Sequence, residues 1–394
     1  MNRHILDSEV QEYIKNHLND DVHKLAMSKS PFKDVSSRDL ANQIAAKNKS
    51  VKKLPSWYKT DAIYYPPLLS IEQCSSETTA AYKAGLAIGN RLIDLTGGFG
   101  VDSYYFAKTV KNLTHCEINN DLSEIAAHNA LALGQTNIKC LAEDGIAVLE
   151  KSGETFDTIY LDPARRSSAG KVFMLKDCTP NVVEHLDLLL SKSKRIIIKT
   201  APLLDITAGL KELGNVSEVH IVSLKNECKE LLWVIDGNKP TQQPIIKAVT
   251  INELQKEFSF IKGEEETKVE LLGENPSGYL YEPDAALLKS GAFNLIATRF
   301  KLKKLHHQTQ LYVSEHLDPS FPGRIFKIGS LVSASDLKKE KSLRRNVIAR
   351  NYPDKAESLV KKYKIKPDHN RFLVFTQGAG DNYFIIDVEI VQHY

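Results

Sequence analysis

Arg91-Leu92-Ile93-Asp94-Leu95-Thr96-Gly97-Gly98-Phe99-Gly100-Val101-Asp102 is the stretch on which the reading of this 394-residue chain turns. An apolar strand runs into a carboxylate, a glycine-rich turn follows, and VDSYYFAKTV continues with helical spacing. In a doubly wound sheet, ligands bind beyond the carboxyl ends of the strands, where glycines let them approach the backbone. A dinucleotide fingerprint requires a third glycine at 103, and Ser103 stands there. The spacing fits D-x-x-x-G-x-G instead, from Asp94 to Gly98 and Gly100. A carboxylate in that turn suits a zwitterionic ligand with an amino group and a sulfonium better than a phosphate.

Further along, short apolar runs alternate with amphipathic stretches. The runs RLIDL, LTHCE, NIKCLA, FDTIYLD, RIIIKT, EVHIVSL and ELLWVID predict seven strands of a mostly parallel sheet, covered by helices on both faces. The last two are joined without a helix, which predicts a hairpin. Three later strand ends also carry acidic groups. Glu117 after the second strand can accept hydrogen bonds from both ribose hydroxyls of a nucleoside. Asp144 after the third can reach an adenine amine; the plainer alternative is a helix N-cap. The fourth run ends in Asp162-Pro163-Ala164-Arg165-Arg166.

Before the first strand, Cys74-Ser75-Ser76-Glu77 opens a helix, ETTAAYKAGLAIG, whose N-terminus can either cover an anionic ligand group or be capped by Ser75 or Ser76. Residues 1–75 space apolar residues three and four apart and read as a helical region, broken at Pro55, Pro66 and Pro67. The polar stretch GNKPTQQP (237–244) reads as a linker. Beyond it an α+β pattern begins. The expected organisation is a helical region over 1–75, a Rossmann-like domain over 76–240 and an α+β region over 241–394, divisible into 241–300 and 301–394.

The motifs EQCSSETTAAYKA (72–84), DLTGGFGVD (94–102), LDPARR (161–166) and RNVIARNYP (345–353) together carry a resemblance. The chain resembles class I methyltransferases that use S-adenosylmethionine. More closely, it is similar to a bacterial family of such enzymes with a THUMP-like C-terminal domain. The resemblance implies a cofactor site of Asp94, Thr96, Gly98, Gly100, Asp102, Glu117, Ile118, Asp144, Gly145 and Asp162, with Asp94, Gly98 and Gly100 at the methionine end. It implies S-adenosylmethionine as cofactor, with no metal. THUMP modules generally bring RNA to a modification enzyme; they usually precede the catalytic domain, and here the candidate follows it.

Methyl transfer needs an aligned acceptor lone pair and exclusion of water. Asp162 can orient an acceptor amine, Pro163 fixes the turn, and Arg165 and Arg166 can hold a phosphate or base edge. Lys199 can contact substrate; as structure alone, it ends a buried strand. DPAR also occurs in enzymes that methylate uridine at carbon 5, which need a cysteine nucleophile after the fifth strand. Lys199-Thr200-Ala201-Pro202 offers none, and Cys178 and Cys228 read as packing residues. Direct methylation of a base nitrogen in RNA is therefore expected. The alternatives are a methyltransferase for a protein or small molecule, and a non-catalytic RNA-binding protein.

Charge supports a polyanionic partner. The net charge of the whole chain is only +3, but residues 301–394 hold 17 Lys/Arg against 10 Asp/Glu. Arg344 and Arg345 are candidate RNA contacts there, beside lysine clusters around Lys301–Lys304, Lys338–Lys341 and Lys361–Lys366. The five cysteines are scattered and never form C-x-x-C, which points to a reducing compartment, and no long apolar run suggests a membrane span. The N-terminus has charges where a signal peptide would be apolar, so a cytoplasmic location is expected. His306-His307 lacks spaced partners for a metal site.

Overall fold

The computed structural model describes residues 1–165, 174–237, 243–340, 342–378 and 382–394. The chain divides into two compact units, Met1–Ser217 with Leu232–Gln242, and Glu218–Leu231 with Gln243–Tyr394.

The first unit opens with helices α1 (Ser8–Asn16), α2 (Val22–Met27), α3 (Ser37–Lys53), α4 (Pro55–Lys59), α5 (Leu68–Gln73) and α6 (Glu77–Ala84). Ser36 caps α3 by accepting from Asp39 N at 3.1 Å. At α1 the residue before the helix is Asp7, and Ser8 lies inside it. The helices share a core with the glycine-rich turn. Trp57 lies edge-on to Tyr104 with ring centres 4.9 Å apart, and Phe99 of the turn itself joins the same buried cluster.

The α/β part follows as β1 (Arg91–Asp94), α7 (Val101–Ala107), β2 (Asn112–Cys116), α8 (Asn120–Ala132), β3 (Ile138–Leu141), α9 (Gly145–Lys151), β4 (Phe156–Leu161), β5 (Ala164–Arg165), β6 (Cys178–Thr179), α10 (Leu186–Lys192), β7 (Ser193–Thr200) and α11 (Ile206–Leu213). Strands β7-β4-β1-β2-β3 lie side by side in that order, and every pairing among them is parallel. The chain steps outward from β1 to β2 and β3, then returns to the other flank of β1 as β4. That reversal is the switch point at which an open α/β sheet forms its ligand crevice. Asp94 ends one of the two strands that border it, and Asp162 follows the other.

Strand β8 (Glu218–Leu224) belongs to the second unit, and β9 (Glu227–Asp236) contributes its two halves to the two units. The hairpin between them turns on Lys225 and Asn226, both with positive φ, 51° and 59°. Two left-handed residues are what a tight two-residue turn between twisted strands requires. The sequence accounts for seven strands of the large sheet, and the structure adds two more to it. Strand β10 (Ile245–Ile251) runs parallel to β8 from Ile245↔Glu218 to Ile251↔Leu224, and β11 (Gln255–Ile261) folds back on it. Residues just beyond the expected linker thus continue the pairing of β8.

The remainder of the second unit comprises β12 (Tyr279–Pro283), α12 (Ala285–Ser290), α13 (Phe293–Arg299), β13 (Lys303–His306), β14 (Thr309–Ser314), β15 (Gly323–Leu331), α14 (Ala334–Lys339), β16 (Asn346–Arg350), α15 (Ala356–Tyr363), β17 (Arg371–Gln377) and β18 (Tyr383–Gln392). Seven strands form a sheet in the order β13-β14-β12-β15-β18-β17-β16. Alternation along β17 shows why both faces are covered: Phe372 and Val374 enter one core cluster, Leu373 and Phe375 another. Among the described residues no helix is long and apolar enough to cross a membrane.

One packing contact sets a local limit. Gly209 in α11 faces Trp233, and a Cβ there would lie 2.3 Å from the indole ring. Gly209→Val should destabilise the protein by about 2 kcal/mol through overpacking. An unchanged urea midpoint with unchanged slope would show that the contact is softer than the structure implies.

Candidate cofactor site

The turn after β1 is built on a close approach. A Cβ on Gly97 would fall 2.0 Å from the His115 ring, and one on Gly145 would fall 2.3 Å from the Leu95 carbonyl. Both positions admit only glycine. Gly98 differs: its φ is +56°, and the nearest atom to a Cβ would be 4.0 Å away. The space over Gly98 is open, as a ligand bound against this backbone requires.

Beneath the turn lies a buried polar relay. Asp94 accepts from Thr96 N at 3.0 Å and from Ser103 Oγ at 2.6 Å. Ser103 Oγ is 3.0 Å from His115 Nδ1. Since the single hydroxyl proton of Ser103 goes to Asp94, His115 donates from Nδ1, which assigns its tautomer. His115 Nε2 is buried without a hydrogen-bond partner. Burial pushes the His115 pKa down to about 4 and the Asp94 pKa up to about 7.

A second network stands beside it. Asp102 accepts from Ser75 Oγ and Tyr160 OH, both at 2.8 Å. Its Oδ1 has no hydrogen-bond partner and lies 3.3 Å from Nζ of the fully buried Lys83. Burial alone raises the pKa of Asp102; Lys83, Lys199 and the two hydroxyl donors outweigh that and hold it below the ordinary carboxylate value. Ser76 caps α6 through Thr79 N at 3.2 Å, so of the paired serines one caps the helix and the other serves Asp102.

The other strand ends complete the crevice. Glu117 Oε2 accepts from Gly98 N at 2.9 Å, and Oε1 from Asn119 N at 2.7 Å. Ile118 beside it is 75% exposed. Asp144 caps α9 through Ala147 N at 2.9 Å, the plainer of its two expected roles. Asp162 N donates to Thr96 Oγ1 at 2.6 Å, tying the turn after β4 to the glycine turn. Lys199, at the end of β7, is ion-paired with Asp162 Oδ2. Pro163 is buried, and the backbone of Arg165 pairs with Cys178 in the β5–β6 ladder. Arg166 lies outside the described residues.

Asp94, Thr96, Gly98, Gly100, Asp102, Glu117 and Asp162 are therefore joined through the glycine turn and its hydrogen bonds, with Lys199 reached through Asp162. Arg344 and Arg345 lie in the other unit. Arg344 is exposed, whereas Arg345 grips Asp387 with two bonds of 2.8 Å and is only 11% exposed. Sequence reasoning missed Gly97, His115, Ser103, Lys83 and Tyr160. The one available signal was Lys83, a charge set within the run AAYKAGLA. Among the described residues no group of three or more His, Cys, Asp or Glu is placed to hold a metal.

Comparisons with known proteins agree with this architecture. Residues 279–322 match a ferredoxin-like domain family and 323–386 a THUMP domain-like family. A crystal structure from Porphyromonas gingivalis W83, described as a "putative methyltransferase", superposes with a TM-score of 0.87 at 29% identity, covering 99% of both chains. A TrmK from M. capricolum with S-adenosyl-homocysteine covers 41% of this chain and 69% of its own, at 15% identity and a TM-score of 0.33. A search of curated protein sequences finds no match. The α/β part has a Rossmann-like fold, and the whole chain is similar to a protein described as a putative methyltransferase. The chain joins this fold to a C-terminal ferredoxin-like and THUMP-like region.

The buried carboxylate gives a test. Asp94 has a folded pKa near 7, above its unfolded value, so the folded state binds more protons between about pH 4 and 7. Ionising Asp94 thus costs the wild type stability as pH rises through that window. Asp94→Asn lacks this cost, so urea titrations should show the variant gaining on wild type from pH 4 to 7. A difference independent of pH would contradict the assignment.

Proposed function

We propose that the first unit binds S-adenosylmethionine and transfers its methyl group to a base nitrogen of RNA by direct displacement. The observation that carries the reading is the open flank of Gly98, set among acidic groups at successive strand ends and tied through Thr96 to Asp162. Glu117 would hold the ribose hydroxyls, exchanging its bond to Gly98 N for them, and exposed Ile118 would cover the adenine face. Asp144 would reach the adenine amine. Asp102, its Oδ1 ion-paired with Lys83, would face the charged methionine end, beside Asp94, Gly98 and Gly100. Gly145 permits the close approach of α9 to Leu95.

The cofactor supplies an electrophilic methyl carbon on a cationic sulfur. The protein supplies alignment. Lys199 fixes Asp162 through Oδ2, so Oδ1 is the oxygen available to accept from an acceptor amine. Pro163 holds the turn, and its carbonyl can take a second amine hydrogen. Positioning of this kind lowers the barrier by restricting the approach geometry. Arg165 and Arg166, next in the chain, would hold a substrate phosphate or base edge. The THUMP-like region and its basic charge support RNA as the substrate, and thiol cysteines suit the cytoplasm.

A second reading has one observation in its favour. The β5–β6 ladder sets Cys178 directly across from Arg165, close after the Asp162-Pro163 turn. A thiol there is what methylation at pyrimidine carbon 5 would require.

Two measurements test these statements. Calorimetry should show S-adenosylmethionine binding without added metal, and Gly98→Arg should abolish it by filling the open space. Equal affinity in that variant would remove the cofactor assignment. Incubation with 5-fluorouridine RNA and cofactor should leave no covalent adduct on a denaturing gel. An adduct lost in Cys178→Ser would transfer the assignment to the second reading.

A further inference from the structure

We propose that the cleft between the end of β16 and the start of α15 is a nucleotide pocket, holding one phosphate and one base of single-stranded RNA. The proposal rests on the reading of the chain as an RNA methyltransferase and gives that reading a second, separate contact with the substrate. The cleft has a volume of about 610 Å³ and is lined by Arg324, Arg350, Asn351, Tyr352, Lys355 and Tyr383, among others. That size suits a small ligand.

Its charge is set from below. Glu282 is 2% exposed and carries two guanidinium groups: Arg324 through Nε at 2.8 Å, and Arg350 through Nε at 3.0 Å and Nη2 at 2.7 Å. One buried carboxylate thus fixes two arginines. Arg324 is largely buried, while Arg350 is 48% exposed. Lys355 precedes α15, whose first turn has no side-chain cap, so its N–H groups add to the positive field. Two acidic groups also line the cleft. Asp354 is paired with Lys362 at 2.9 Å, and Glu357 sits in the first turn of α15. Arg324, Arg350, Lys355 and Lys362 against Glu282, Asp354 and Glu357 leave one positive charge. That balance suits a single phosphodiester and opposes a triphosphate.

The rings supply the other half of a nucleotide site. Tyr352 stands edge-on to Phe375 at 5.3 Å and to Tyr383 at 5.2 Å, and Tyr383 is 49% exposed. Arg350 and Tyr352 are separated by one residue, Asn351, with a φ of 50°. A guanidinium and a stackable ring on adjacent stretches of backbone match the phosphate and base of one nucleotide. The motif RNVIARNYP thereby divides. Arg345 is consumed by Asp387, and ARNYP builds the cleft. The lysine clusters expected to bind RNA are partly committed elsewhere: Lys304 is buried, and Lys303 and Lys339 are ion-paired with Glu270 and Asp336.

The test uses the full chain, with fluorescence anisotropy of a short labelled single-stranded RNA and competition by adenosine monophosphate and inorganic phosphate. Tyr383→Ala and Arg350→Gln should each weaken the strand about tenfold. Lys268→Ala, an exposed lysine away from the cleft, should leave it unchanged, and all variants should keep wild-type circular dichroism and S-adenosylmethionine affinity. Adenosine monophosphate should compete better than phosphate. If the wild type binds neither strand nor mononucleotide, or if both cleft variants bind the strand as wild type does, the pocket is overturned. If the mononucleotide binds and the strand does not, the occupant is a free nucleotide and the RNA assignment of the cleft fails. Loss of S-adenosylmethionine binding in the wild type would instead overturn the methyltransferase reading, independently of the cleft.

Discussion

The missing side chain of Gly97 is where the His115 ring lies, and the geometry of the crevice depends on that substitution of ring for Cβ. With the ring in place, Nδ1 reaches Ser103, Ser103 reaches Asp94, and Asp94 fixes Thr96. Thr96 in turn holds Asp162, the first residue after β4. A chain of hydrogen bonds therefore runs from the interior between β1 and β2 to the turn proposed to face the substrate. Each member is buried or half-buried, where an unsatisfied polar group is costly, so the chain is held as a unit.

The same logic of one buried carboxylate organising charges recurs in the second unit. Glu282 anchors Arg324 and Arg350, and Asp387 anchors Arg345 and Arg371. At each carboxylate one arginine is set deep and the other keeps about half its surface: Arg345 against Arg371 at Asp387, and Arg324 against Arg350 at Glu282. Basic composition alone does not distinguish the buried arginine from the exposed one, since an arginine's use is set by its place around the carboxylate.

That difference marks how far the sequence could be read. Strands β1 to β4 and the acidic groups after them were legible because apolar runs, glycine turn and carboxylates occur in one local order. The hairpin of β8 and β9 was legible for the same reason. Partners brought together across distant segments were not. Asp102 is joined to Ser75, Lys83 and Tyr160, which come from two other segments, the lead-in and body of α6 and strand β4. Ser103 was read only as an absent glycine, yet its hydroxyl is the link between Asp94 and His115. The pairing of β10 with β8 crosses a polar, proline-containing stretch that reads locally as a boundary. Cys178 was read as packing, and only the ladder shows it opposite Arg165.

The central claim is that the glycine turn and the strand-end carboxylates form one S-adenosylmethionine site. A crystal structure of the protein with S-adenosyl-homocysteine tests it most directly. The account predicts the ligand against Gly98, with Glu117 moved from Gly98 N onto the ribose hydroxyls and the sulfur close to Asp162. A ligand bound elsewhere, or Glu117 still closed on Gly98 N with the crevice empty, would contradict it.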